Sequence, residues 1–94
     1  MVSQMGKVQT IISDWRQRKT NLRCNEVKAG LEHLGFTVRD GRRGGHKIVS
    51  HPQLKDFFGT DFNGGSGPND LVKPRYIEKL TRVLSDWMEE LEQI

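Results

Sequence analysis

The sequence predicts an α+β fold: a small antiparallel sheet of about three strands packed on helices. Three observations carry this expectation. A helix-period apolar pattern ends on Gly35. Directly after it the pattern switches to period two, passes through a glycine-rich turn and returns. A second, longer helix-period stripe then closes the chain.

The first helix is expected over residues 3–18. Met5, Val8, Ile11, Ile12 and Trp15 fall on one arc, and Ser3 is a suitable cap. Its short stripe packs on the core or meets a partner. A second helix is expected from Asn25, as cap, to Leu34, with Cys24, Val27, Leu31 and Leu34 inward. Gly35 takes the left-handed C-terminal position, and His33 projects to solvent. Phe36-Thr37-Val38-Arg39 reads as a strand with Phe36 and Val38 buried. Asp40 to Gly45 is the turn, with three glycines in five residues. His46 to Ser50 returns as the next strand and stops at His51-Pro52. Ile48 and Val49 are adjacent, so one faces the core and the other the far side. The facing of His46 follows from that choice.

Phe57, Phe58 and Phe62 suggest a third short strand. Asn63 to Asp70 is a polar loop with three glycines, of a kind that is mobile or wraps something. Pro74 opens the last helix. Tyr76, Ile77, Leu80, Val83, Leu84, Trp87, Met88 and Leu91 form its apolar stripe. Its charges oppose its dipole, with Lys73, Arg75, Lys79 and Arg82 toward the positive end and Asp86, Glu89, Glu90 and Glu92 toward the negative end. Near the termini such a misplacement costs about 0.3–1 kcal/mol. This points to basic residues that contact phosphate and to an acidic tail that meets a basic partner.

Ninety-four residues suit one domain, 1–94, with residues 3–18 as a helical extension and 25–94 as the core. No apolar run is long enough for a membrane span, and the N-terminus lacks the apolar centre of a signal peptide. One cysteine, Cys24, excludes an internal disulfide. A cytoplasmic location is expected. The net charge of +3 permits a polyanionic partner. From Arg39 to Lys47 there are four basic residues and one acidic residue, against four acidic and no basic residues from Asp86 to Glu92.

The turn holds the chemistry. Histidine exchanges protons near neutral pH. Metal-free RNA cleavage needs the 2′-hydroxyl deprotonated, the leaving oxygen protonated and the phosphorane charge neutralised. His46 with Arg42, Arg43 and Lys47 has those ingredients, and the amides of Gly44 and Gly45 add anion contacts. His51, before a proline, suits a strand-ending role. The histidines at 33, 46 and 51 form no compact metal set, so neither metal nor cofactor is expected. The turn is not a nucleotide-binding P-loop, because it lacks Lys-Ser/Thr and opens no helix.

From the second helix onward the α-β-β-β-α order is that of the double-stranded-RNA-binding domain. Over about Asn25 to Leu84 the sequence resembles the HicA family of toxin–antitoxin ribonucleases. The resemblance lies in Leu31-Glu32-His33-Leu34-Gly35-Phe36, in Gly45-His46 with His51-Pro52, and in Val72-Lys73-Pro74-Arg75-Tyr76-Ile77. Met5-Gly6-Lys7-Val8 resembles an extension seen in some members. The resemblance implies an mRNA interferase that cleaves without metal through the histidine of a Gly-Ser-His motif, which maps to His46. It also implies a HicB-type antitoxin that covers the site. Arg42, Arg43, Gly44, Gly45, Lys47, Lys73 and Arg75 are then the expected RNA contacts. The sequence departs from the family at Gly45, usually Ser or Thr, and at Lys47, often a second histidine. Two other functions fit the same residues: an RNA-binding module that does not cut, and a protein-interaction module that docks through helices bearing Trp15 and Trp87.

Overall fold

The structure is a computed structural model that describes residues 6–94. The element order is α1 (Lys7–Gln17), α2 (Cys24–His33), β1 (Thr37–Asp40), β2 (His46–Ser50), β3 (Thr60–Asn63), α3 (Pro74–Asp86) and α4 (Met88–Glu92). The strands form one antiparallel sheet in the order β1-β2-β3. This is the expected α+β class, and the expected α-β-β-β-α order runs from α2 to α3. The positions of Ser3 and Met5 in the first-helix reading lie outside the described residues.

The register is set by what each strand buries. Val38 pairs with Val49, and Lys47 with Phe62. Val49 and Phe62 are fully buried, and Val38 is nearly so. Side chains alternate along a strand, so Val49, not Ile48, faces the core. His46, Ile48 and Asp61 therefore share the opposite face. Removing a ring as enclosed as Phe62 costs about 3–5 kcal/mol, which holds the register firmly. Phe36, Phe57 and Trp87 form an edge-to-face chain at 5.7 and 5.8 Å that ties β1 to the end of α3. Of the three phenylalanines assigned to a third strand, only Phe62 lies in it. Phe57 packs in that aromatic chain and Phe58 is exposed.

Helix α2 starts one residue before its expected cap. Asn25 does not cap it; the N-terminal amides are met by the glycine-rich loop instead. Cys24 N donates to Asp70 O and Asn25 N to Pro68 O, both at 2.9 Å. Glu26 accepts from Arg23 N at 3.1 Å and is also bound by Arg18, which holds its carboxyl below the usual range. The loop thus wraps the start of α2. At the other end, Phe36 N reaches Leu31 O and Gly35 N reaches Glu32 O, with Gly35 at φ +92. That is the left-handed C-terminal motif expected from Gly35.

Helix α1 joins the core through Val8, Ile12 and Trp15, and packs along α3 and α4. The last helical run, expected to be continuous, is broken at Trp87, where α3 ends and α4 begins. The break lets Glu92 turn back onto α1. Val8 N donates to Glu92 Oε1 at 3.1 Å. One carboxylate that opposes its own helix dipole thereby stabilises the positive end of another. Gly6 leaves room for it, since a Cβ there would overlap the carboxylate.

Glu92→Ala is expected to lower stability in urea unfolding by about 1 kcal/mol through loss of this cap. Gly6→Ala displaces the same carboxylate, so the double variant should lose little more than either single one. Fully additive losses would show that the contact is not what links the two ends.

Candidate active site

His46 begins β2, where Gly41 N donates to His46 O at 2.8 Å and closes the hairpin loop. Across the ladder His46 faces Asn63, and Ile48 faces Asp61. Asp61 is therefore the diagonal neighbour of His46 on the outer face, within reach of an imidazole. His46 Nε2 lies 2.7 Å from Asp61 Oδ2. Asp61 Oδ1 accepts from Lys79 Nζ of α3. Lys79 and then His46 hold the Asp61 carboxyl below its usual range. An ionised carboxylate accepts but cannot donate, so Nε2 carries a proton, and in the neutral ring Nδ1 is the acceptor.

Nδ1 lies over Gly41. A Cβ on Gly41 would collide with it, and Gly41 is not in a positive-φ conformation. The glycine is thus needed for the ring and not for the backbone. The His46 side chain is 35% exposed, enough to meet a solvent-side substrate. It stands in a cleft of about 570 Å³ shared with Arg42, Arg43, Ile48, Asn63 and Tyr76. Asp61, Lys79, Tyr76 and Asn63 were not expected from the sequence.

Gly44 and Gly45 occupy the centre of a β-turn closed by His46 N to Arg43 O at 3.1 Å. Gly45 has φ +78, the value that the third position of a type II turn demands. A Cβ there would meet Gly65 O and lie 2.8 Å from Asn63 Oδ1. Gly64 N donates to Gly45 O at 2.7 Å, and Gly65 N to Asn63 Oδ1 at 2.8 Å. The glycine that departs from the Gly-Ser-His pattern is therefore fixed by its contacts with the loop after β3.

The expected RNA-contacting residues do not all gather around His46. Arg42 and Arg43 do. Lys47, one residue on, points to the other side of the sheet, where it pairs with Asp40. It lines a separate cleft of about 680 Å³ against α2, together with Gly44 and Gly45. Lys73 and Arg75 line a small recess of about 120 Å³ that shares Tyr76 and Asn63 with the His46 cleft. Arg75 donates to Tyr76 Oη at 3.2 Å and lies 4.9 Å from the ring centroid.

His51 is buried. Its Nε2 donates to Leu34 O at 3.0 Å, and its Nδ1 accepts from Gln53 N at 3.1 Å. Phe36 packs on it edge to face at 4.8 Å. Both nitrogens are used, as a strand-ending structural role requires. Among the described residues no group of three or more His, Cys, Asp and Glu side chains is placed to hold a metal ion. No described helix is long and apolar enough to cross a membrane.

Gly45→Ser is expected to destabilise the protein by about 1–3 kcal/mol in chemical denaturation, since it sets a side chain at positive φ against a backbone oxygen. A wild-type midpoint would contradict the crowding described for this turn. Asp61 gives a second test. Its folded pKa is lowered, so its contribution is fully present above the ordinary aspartate value of about 3.9 and is lost as pH falls through the folded value. Asp61→Asn should therefore show a flatter decline in stability than wild type on acidification below about pH 4. Identical declines would mean that the carboxylate is not held by Lys79 and His46.

No family model, curated protein or solved structure matches the chain.

Proposed function

We propose that this chain is a metal-independent endoribonuclease of the HicA toxin type, acting on mRNA and held in check by a HicB-type antitoxin. The observation that carries the reading is a histidine tethered by an ionised aspartate in a cleft with two arginines. RNA supplies its own nucleophile, so one acid–base group and a cationic clamp suffice.

In this reading Nδ1 of His46 accepts the proton of the 2′-hydroxyl. The freed oxygen attacks the adjacent phosphorus, and the phosphorus–O5′ bond breaks. The imidazolium or water then protonates the departing 5′-oxygen. The products are a 2′,3′-cyclic phosphate and a 5′-hydroxyl. Arg42 and Arg43 neutralise the phosphorane oxygens. Asp61 sets the tautomer and steadies the imidazolium, the role that an aspartate plays behind a catalytic histidine in serine hydrolases.

A second reading, RNA binding without cleavage, is favoured by Gly45 and Lys47. The hydroxyl of the family motif is missing, and Lys47 pairs with Asp40 away from His46.

RNA incubated with the protein in excess chelator separates the two readings. Wild type should yield cyclic-phosphate ends, and His46→Ala should lose about 100-fold or more of that activity. Gly41→Ala should cut as poorly, by crowding Nδ1, while keeping the wild-type unfolding transition. Undiminished cutting by His46→Ala would sink the proposal. Salt-dependent binding of uncut RNA would leave the second reading standing.

A further inference from the structure

The larger cleft lies on the opposite side of the glycine-rich turn from His46. Its walls are the exposed face of α2, around Asn25, Lys28 and Ala29, and the turn itself. Loop residues Gly65 to Pro68 close one end. Arg42 and Arg43 line both this cleft and the His46 cleft. Arg42 and Arg43 therefore border both clefts at the tip of the hairpin.

The far cleft offers four cations, Lys28, Arg42, Arg43 and Lys47, against two carboxylates, Glu32 and Asp40. Asp40 is held by Lys47. Nothing lies within 4 Å of the position a Cβ would take on Gly44, so the turn backbone is open to close approach there. The amides at the start of α2 are already bonded to the loop carbonyls of Asp70 and Pro68. Side chains and the open turn, and not the helix terminus, supply the attraction.

We infer that this cleft is a second RNA subsite, which holds single-stranded backbone flanking the phosphate at His46. The inference rests on the ribonuclease reading of the His46 cleft and extends it to the form of the substrate. A strand that occupies both clefts must bend over the hairpin tip. A base-paired helix resists such a bend, the persistence length of duplex DNA being about 150 bp, whereas a single strand follows it readily. Lys47, Gly44 and Gly45 then contact RNA in the far cleft and not beside the reacting atoms. A substrate confined to the His46 cleft gains nothing from Lys28.

Binding of fluorescent 2′-O-methyl RNA, which cannot be cut through a 2′-hydroxyl, tests this. Oligomers of about 4 and about 12 nucleotides bracket one cleft and both. Lys28→Gln and Ala29→Glu lie at exposed positions of α2 outside the His46 cleft. Each should weaken the longer oligomer about tenfold and the shorter one much less, since the shorter can occupy the His46 cleft alone. Lys28→Gln should also lower the salt slope for the longer oligomer by about one. Equal effects on both lengths, or none on either, would overturn the second subsite. A duplex of the longer length that binds as tightly and responds alike would overturn the single-strand assignment. Cleavage assays on the same proteins keep the two claims apart. If wild type does not cut but the length-dependent effect holds, the subsite stands and the ribonuclease reading falls. If wild type binds neither oligomer at low salt, both fall.

Discussion

The register between β2 and β3 governs the site. Phe62 must lie in the core, and it sits opposite Lys47. That pairing leaves His46 and Asp61 no choice but the outer face, one diagonal step apart. A slip of one residue would turn Asp61 inward and expose Phe62, at a cost of several kcal/mol. The hydrophobic effect, acting on a residue with no chemistry of its own, thus sets the distance between an imidazole and a carboxylate. Lys79, reaching in from α3, completes the chain by keeping that carboxylate ionised.

A second constraint is the lacing of two glycine-rich segments. The turn after β1 and the loop after β3 touch through Gly45, Gly64 and Gly65, and the same loop caps α2. The turn's shape, the loop's path and the start of α2 are therefore one cooperative unit. Gly45 lies at its centre, where both φ and space exclude a side chain. Gly41 serves a different purpose, because its missing side chain makes room for the His46 ring.

Much of this was legible in the sequence. The change of period after Gly35 located β1, and β2 occupies the span that His46 to Ser50 suggested. The chemistry was legible only in part. Ile48 and Val49 are both apolar, so alternation alone left the facing of His46 open. Phe57, Phe58 and Phe62 looked alike, although one stacks, one is exposed and one anchors β3. Had Phe62 been recognised as the core residue of a four-residue strand, Asp61 would have followed as a partner on the outer face. Lys79 stands one turn beyond Tyr76 on α3, where the sequence shows it only as one of several cations opposing the dipole. Its pairing with Asp61, like that of Glu92 with α1, is a contact between segments far apart in the chain. Local pattern carries no trace of such contacts. Adjacency in sequence groups Lys47 with His46, yet adjacency in a strand means opposite faces.

Whether Nδ1 of His46 is free decides whether the ring can act as a base. Long-range ¹H–¹⁵N NMR of the imidazoles at about pH 8, above the ordinary histidine value of about 6.5, reads it directly. His46 should carry its proton on Nε2 with a bare Nδ1, and Asp61→Asn should erode this preference. A His46 protonated on Nδ1, or one whose tautomer is unchanged by Asp61→Asn, would contradict it.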